Sequence, residues 1–296
     1  MRLVTFEEAG LVRIGVLHPQ RHEVLDLAAL APELPQNMLE FVAMGDAALK
    51  RVRQVVANVD IGLPLDSLQL LAPIPRPPRN IFCVGKNYPE HVKEVQSIVA
   101  SDSDTKAASP DSPIIFTKAT SSVIGPGASI PSSLDATDSV DYEGELAVVI
   151  GQGGRGITAA DALNHVYGYT IINDVTSRRL QRRHQQWFLG KSLDGFCPMG
   201  PCLITRDEID DAGRLRVQTR VNDELRQDSY VSDMIFGIPV LIETLSRYMT
   251  LESGDIIATG TPAGVGMGFK PPKFLTQGDR VSITIEPIGT LENNVS

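Results

Sequence analysis

The chain has 296 residues, 42% of them hydrophobic and 21% charged, the make-up of a globular protein with core enough for one large domain or a small and a large one. Its net charge of −9 and its 5% of aromatic residues argue against a nucleic acid or an anionic membrane as partner. Cys83, Cys197 and Cys202 are odd in number and lack CxxC spacing, so they indicate neither a zinc knuckle nor a disulfide framework and fit a reducing compartment.

Along the chain, Met1–Glu8 enters strand-like sequence at once, without a signal-peptide h-region or an Arg-rich presequence, and no apolar run reaches membrane-spanning length. The expectation is a cytoplasmic protein, with a mitochondrial placement left open. Residues Arg2–Phe6 and Val12–Leu17 read as a hairpin, and helical periodicity follows at Asn37–Met44 and Ala47–Val56. Pro73, Pro75, Pro77 and Pro78 form a stiff extended connector, which predicts a small N-terminal domain over 1–72, a linker over 73–80 and a larger domain over 81–296. In the larger part, strands are expected at Ile81–Val84, Ile114–Phe116, Asp141–Ile150, Val166–Ile172, Leu203–Thr205, Leu215–Val221, Asp255–Thr259 and Arg280–Ile285. A helix is expected at Ile238–Tyr248 and a loop at Ser97–Ser112. The pattern is strand-rich α+β, without regular βαβ alternation or internal repeat.

The most informative segment is Asp141-Tyr142-Glu143-Gly144-Glu145-Leu146. Positions two apart on a strand share a face, so Glu143 and Glu145 project together, while Gly144, Leu146, Val148 and Ile150 take the other. Two carboxylates this close raise each other's pKa unless a cation lies between them, and their hard oxygens suit Mg²⁺, Mn²⁺ or Ca²⁺. Alone, the segment also fits a solvated acidic strand face. Asp174, after the apolar strand Tyr169–Ile172, could complete a three-carboxylate set or cap the next helix. His91 and Glu94, at i,i+3 after strand Ile81–Val84, could form a general base with an orienting carboxylate or an exposed polar helix face. Lys191, flanked by apolar residues, suits an anion or oxyanion partner. Arg178, Arg179, Arg182 and Arg183 could be solvated or could provide a positive field. Gly190-Lys191-Ser192 is no phosphate loop, because Gln185 stands where the upstream glycine belongs. Gly260, Gly264, Gly266 and Gly268 lack dinucleotide-binding spacing and read as a tight turn.

Taken together, Gly85-x-Asn87-Tyr88-x-x-His91-x-x-Glu94, Asp141-Tyr142-Glu143-x-Glu145-Leu146, Asn173-Asp174-Val175-Thr176, Gly190-Lys191-Ser192-x-Asp194-x-Phe196-Cys197-Pro198 and Thr259-Gly260-Thr261-Pro262-x-Gly264-Val265-Gly266 resemble the fumarylacetoacetate hydrolase family over roughly residues 70 to 296. Within it, the chain looks most like the fumarylacetoacetate hydrolase domain-containing proteins. The resemblance implies a mixed β-sandwich roll with a small N-terminal α/β domain, a homodimer, and a divalent metal, Mg²⁺ with Mn²⁺ or Ca²⁺ as alternatives, held by Glu143, Glu145 and Asp174. It implies catalytic roles for His91, Glu94 and Lys191, and substrate binding by Arg178, Gln181 and Thr261. The chain departs from the family pattern at Arg179, where an acid is usual, and in a longer segment between Glu94 and Pro113; both bear on substrate identity. The leading expectation is metal-dependent cleavage, by hydrolysis or decarboxylation, of a small β-dicarbonyl 2-oxo acid such as an acylpyruvate or oxaloacetate. The alternatives are an oxaloacetate keto–enol tautomerase at the same site and, less favoured, a non-catalytic binding protein of this fold.

Overall fold

Apolar side chains on both faces of one strand, Gly144–Ile150, set the layering of the fold. The computed structural model describes residues 1–296 except 58, 60 and 100–109. Strand Gly144–Ile150 pairs antiparallel with Val166–Asn173 and with Ile256–Ala258. On one face Leu146, Val148 and Ile150 enter an apolar layer with Val217, Val221, Val281 and Ile283 of a second sheet and with Leu241 and Leu245 of helix Ile238–Tyr248. On the other face Ala147 and Val149 join Leu3, Ile14, Phe41, Val42, Leu49 and Val52. Burying each such aliphatic or aromatic side chain stabilises the fold by about 1.5–3 kcal/mol.

The large sheet has 12 strands, with the order 63–64, 23–26, 11–17, 2–8, 197–205, 166–173, 144–150, 256–258, 81–85, 114–118; strand 69–71 adds to 2–8 and strand 123–124 to 197–205. Neighbours along this order are antiparallel except 256–258 beside 81–85. The N-terminal hairpin, Arg2–Glu8 and Leu11–Leu17, joins this sheet through the pairs Arg2↔Ile204 and Leu3↔Leu203. A four-stranded antiparallel sheet, in the order 224–230, 216–221, 280–285, 289–294, covers the Leu146 face. The result is the strand-rich α+β architecture read from the sequence.

Helix Met38–Met44 begins where expected because Asn37 caps it, its side chain accepting from the Glu40 amide at 2.9 Å. Several strands have no counterpart in the sequence reading, among them Glu23–Asp26, Gln69–Leu71, Glu224–Tyr230 and Gly289–Asn294. Glu224–Tyr230 buries only Gln227, and Gly289–Asn294 only Leu291 and Asn293, so neither shows apolar alternation. The strand expected over Asp141–Ile150 is interrupted: Val140–Asp141 pairs with Thr176–Ser177, and the run resumes at Gly144. Helix Pro89–Val99 extends past Ser97, and most of the loop expected at Ser97–Ser112 lies outside the described residues. No described helix is long and apolar enough to cross a membrane.

Candidate active site

The break in the strand at Tyr142 and Glu143 is what builds the site. Gly144 pairs with Asn173 at the end of the main ladder. One residue further out the Asp174 amide donates to the Glu143 carbonyl at 2.8 Å, while the Glu143 amide donates to the Asn173 side-chain oxygen at 3.0 Å. The Asn173 side chain thus satisfies a backbone group where the ladder ends. Glu143, Glu145 and Asp174 are brought together, each offering an oxygen within 4.8 Å of the others'. All three are buried, at 5%, 1% and 0% exposure, which rules out a solvated acidic face. Nor does Asp174 cap a helix: Ser177 holds the N-cap position of Arg178–Arg183, and the Asp174 carboxylate accepts from two lysines.

Three cations answer this charge. Lys191 Nζ lies 2.6 Å from Glu143 Oε2 and 2.7 Å from Asp174 Oδ2. Lys118 Nζ donates to Asp174 Oδ1 at 2.6 Å, to the Val175 carbonyl at 3.0 Å and to the Lys191 carbonyl. The Arg178 guanidinium bridges Glu143 Oε1 at 2.6 Å and Asp141 Oδ2 at 2.8 Å. Burial works to raise the Glu143 pKa, but Arg178 and Lys191 hold it well below the ordinary carboxylate value. Burial also opposes the Lys191 ammonium, yet Asp174 and Glu143 leave it above the usual lysine value. Glu145 differs. Its Oε2 accepts from the Gly260 amide at 2.8 Å, but burial and then the charges of Asp174 and Glu143 push its carboxyl well above the ordinary range.

The other expected site residues surround this centre. His91 Nδ1 lies 3.0 Å from Glu94 Oε2, and Glu94 Oε1 accepts from the Gly264 amide at 3.0 Å, so the dyad is tied to the glycine loop. That loop is held from below by Asp141, which accepts from the amides of Gly266 at 2.6 Å and Met267 at 3.0 Å. Gly264 has a φ of +104°, and a Cβ there would run into the Arg226 carbonyl; this is the tight turn the glycine spacing suggested. A Gly264→Ala substitution should therefore lower stability by about 1–3 kcal/mol, measurable by urea denaturation.

A cavity of about 200 Å³ opens over the carboxylates and is lined by His91, Glu143, Glu145, Arg178, Lys191 and Thr261, with Gln181, Phe116 and Trp187 among its other walls. It thus gathers every candidate site residue except Glu94 and Asp174, which lie behind His91 and Lys191. The Thr261 hydroxyl donates to the Gly144 carbonyl at 3.0 Å and receives Gln227 Nε2 at 2.7 Å, so it is committed to holding the loop. The arginine run divides. Arg178 is buried at the carboxylates and Arg182 reaches the cavity, whereas Arg179 is exposed and donates to the Thr137 carbonyl.

A sequence profile for the C-terminal region of fumarylacetoacetate hydrolases matches residues 80–296. The chain belongs to the fumarylacetoacetate hydrolase family. It is 51% identical to the oxaloacetate tautomerase YisK of Bacillus subtilis strain 168, over the full length of both chains. Among solved structures it resembles a fumarylacetoacetate hydrolase from the psychrophile Exiguobacterium antarcticum, with a TM-score of 0.81 and 42% identity over 100% of this chain and 99% of that one. It also resembles a maleylpyruvate hydrolase from Sphingobium sp. SYK-6, solved with manganese(II) and pyruvate, with a TM-score of 0.79 and 29% identity over 100% of this chain and 98% of that one.

As a family enzyme, the chain carries site residues that sequence reasoning passed over. Lys118 gave no signal, because a lysine closing a strand reads as solvent-facing, yet it is fully buried. Asn173, Asp141 and Gln227 stand in recognisable motifs, but their roles need contacts across the fold. Gln227 accepts from the Gly144 amide at 3.0 Å and donates to Thr261 and Pro262, clamping the Glu143–Glu145 strand to the glycine loop.

Proposed function

We propose that this enzyme interconverts the keto and enol forms of a small 2-oxo acid, oxaloacetate being the substrate the similarities favour. The observation that carries the reading is the full-length 51% identity to an oxaloacetate tautomerase, joined to a buried carboxylate trio facing a small cavity. The carbon–carbon cleavage that the motifs alone favoured becomes the second reading. It is supported by the intact His91–Glu94 pair and the likeness to a maleylpyruvate hydrolase.

The donor set fits a divalent cation. Each oxygen of Glu143 and Asp174 accepts one hydrogen bond from a cation and keeps a lone pair, and Glu145 is a buried carboxylate with acidic neighbours and no ion pair among the described residues. Glu143, Glu145 and Asp174 would hold Mg²⁺, with Mn²⁺ or Ca²⁺ as alternatives; when bound, the ion supplies Lewis-acid polarisation of the 2-oxo group. Lys191 adds fixed positive charge beside the developing oxyanion. Arg178 Nη2 is buried without a hydrogen-bond partner, a donor available to the substrate carboxylate, with Gln181 beside it. Glu94 engages His91 Nδ1, leaving Nε2 to carry a proton. In ketonisation the enol O–H proton is lost, the C=C pair takes a proton at the adjacent carbon, and the O–H pair closes the C=O bond; His91 serves at the carbon. No water need attack, and the product keeps all its carbons.

Ultraviolet decay of freshly dissolved enol-oxaloacetate, with pyruvate assayed in parallel, tests this. EDTA-sensitive acceleration of enol decay without pyruvate is expected; pyruvate formed at the same rate would establish cleavage instead. A His91→Ala variant should lose about 10²–10³-fold in rate while its Mn²⁺ affinity is unchanged. Retained turnover would remove His91 from the proton transfer. The family resemblance also supports a homodimer, which sedimentation equilibrium would test.

A further inference from the structure

The cavity lining holds two sets of cations, and only one is explained by the carboxylate trio. Lys118, Lys191 and Arg178 are each ion-paired to a buried carboxylate. The remaining cations at the cavity are Lys86 and Arg182, half-buried and exposed, and neither has an ion pair among the described residues. In a protein of net charge −9, two unpaired cations at one cavity mark a place for an anion. Of the cations nearby, Lys93 pairs with Glu90 and Arg179 is spent on the Thr137 carbonyl, while Arg183, without an ion pair among the described residues, does not line the cavity.

The lining also holds an apolar wall of Val84, Phe116, Trp187 and Met267, whose one hydrogen-bond donor is the Trp187 indole N–H. The wall is fixed. Trp187 meets Phe116 edge-on at 5.2 Å and packs where a Cβ on Gly85 would sit. Lys86, the next residue, has a φ of +56°, a conformation uncommon for a residue with a Cβ and one that accumulates at functional sites.

We propose that Lys86 and Arg182 seat a second carboxylate, so that the site selects 2-oxo dicarboxylates over 2-oxo acids with an uncharged far end. The inference rests on the 2-oxo acid reading above and deepens it. A substrate held by its 2-oxo acid group at the trio would lay its short carbon chain along the aromatic wall and its far carboxylate at the Lys86–Arg182 rim.

Trp187 is the single tryptophan of the chain and lines the cavity, so its fluorescence reports occupancy without turnover. The full-length, Mg²⁺-loaded protein is titrated with malate, with 2-hydroxybutyrate, in which a methyl replaces the far carboxylate, and with oxalate, which has no far end. Malate should bind roughly tenfold more tightly than 2-hydroxybutyrate, the scale of a charge-assisted contact moderated by exposure. A double variant, Lys86→Asn with Arg182→Gln, should abolish that preference and leave oxalate within about twofold, which also shows that it is folded; asparagine tolerates the positive φ. No preference in the parent protein, a preference surviving in the double variant, or an equal loss for all three ligands would each overturn the proposal. A malate preference without enol turnover would instead sink the tautomerase reading alone, and enol turnover without the preference would sink this inference alone.

Discussion

Glu143→Gln and Glu145→Gln are expected to abolish metal binding and activity alike, yet to move the stability of the metal-free protein in different directions. Glu143 is the shared partner of Arg178 and Lys191. Neutralising it leaves those two cations buried and under-compensated, and breaking a buried pair in this way costs about 3–5 kcal/mol. Glu145 is buried against Asp174 and Glu143 and, among the described residues, receives only the Gly260 amide, a bond that a glutamine oxygen can still accept. The metal-free protein disfavours ionisation of this carboxyl, and a glutamine is neutral at every pH, so Glu145→Gln in EDTA should be at least as stable as the parent. Both variants should lose at least ~100-fold in Mn²⁺ affinity, since even altering groups that merely orient metal ligands costs 10–100-fold. Denaturant titration in EDTA and electron paramagnetic resonance titration of Mn²⁺ give the two readouts. A Glu145→Gln protein destabilised as much as Glu143→Gln would show that Glu145 is held by contacts rather than crowded by charge. Parent-like Mn²⁺ binding in either variant would remove that residue from the ligand set.

The contrast between the two glutamates marks what the sequence could and could not disclose. Their i,i+2 spacing shows that Glu143 and Glu145 share a face, and the strip Leu146, Val148, Ile150 shows where the core lies. Strand periodicity is a local property, and it carries that far. It does not show that the ladder breaks before Gly144, because the break depends on Asn173, thirty positions later, offering a side-chain oxygen to the Glu143 amide. For the same reason Asp174 read equally as a cap or a ligand. The deciding partners, Lys118 and Lys191, come from other elements. The arginine run shows the limit again: four similar residues follow Asp174, but the short helix Arg178–Arg183 turns Arg178 inward, leaves Arg182 at the cavity and sends Arg179 to Thr137. The departure from the family pattern at Arg179 drew attention in the sequence, whereas the geometry puts Arg182 beside the cavity. The hairpin Arg2–Glu8 and Leu11–Leu17 was legible, but its pairing with Cys197–Thr205 was not, since register between strands so distant in sequence has no local signal.

Lys118 is where this gap between sequence and structure should have the largest energetic consequence. Its ammonium is fully buried and holds Asp174, the Val175 carbonyl and the Lys191 carbonyl together. It therefore fixes one carboxylate of the trio and the main chain of the lysine beside it. Lys118→Met keeps most of the volume but strips all three acceptors of a donor and leaves Asp141, Glu143, Glu145 and Asp174 with Arg178 and Lys191 as their ion-pair partners among the described residues. A loss of about 3–5 kcal/mol is expected, as for other broken buried pairs. The cause can be separated by a double-mutant cycle. If the ion pair carries the effect, making Asp174→Asn first should reduce the Lys118→Met loss by about 2 kcal/mol or more, within the coupling measured for residues in contact. An equal loss in both backgrounds would assign Lys118 to the two carbonyls and to packing, and Asp174 would then be positioned by its backbone alone. Mn²⁺ affinity of the single variant completes the argument. With Lys118 orienting a ligand carboxylate, affinity should fall about 10–100-fold even in molecules that remain folded. Unchanged affinity would mean that the trio keeps its geometry without this lysine.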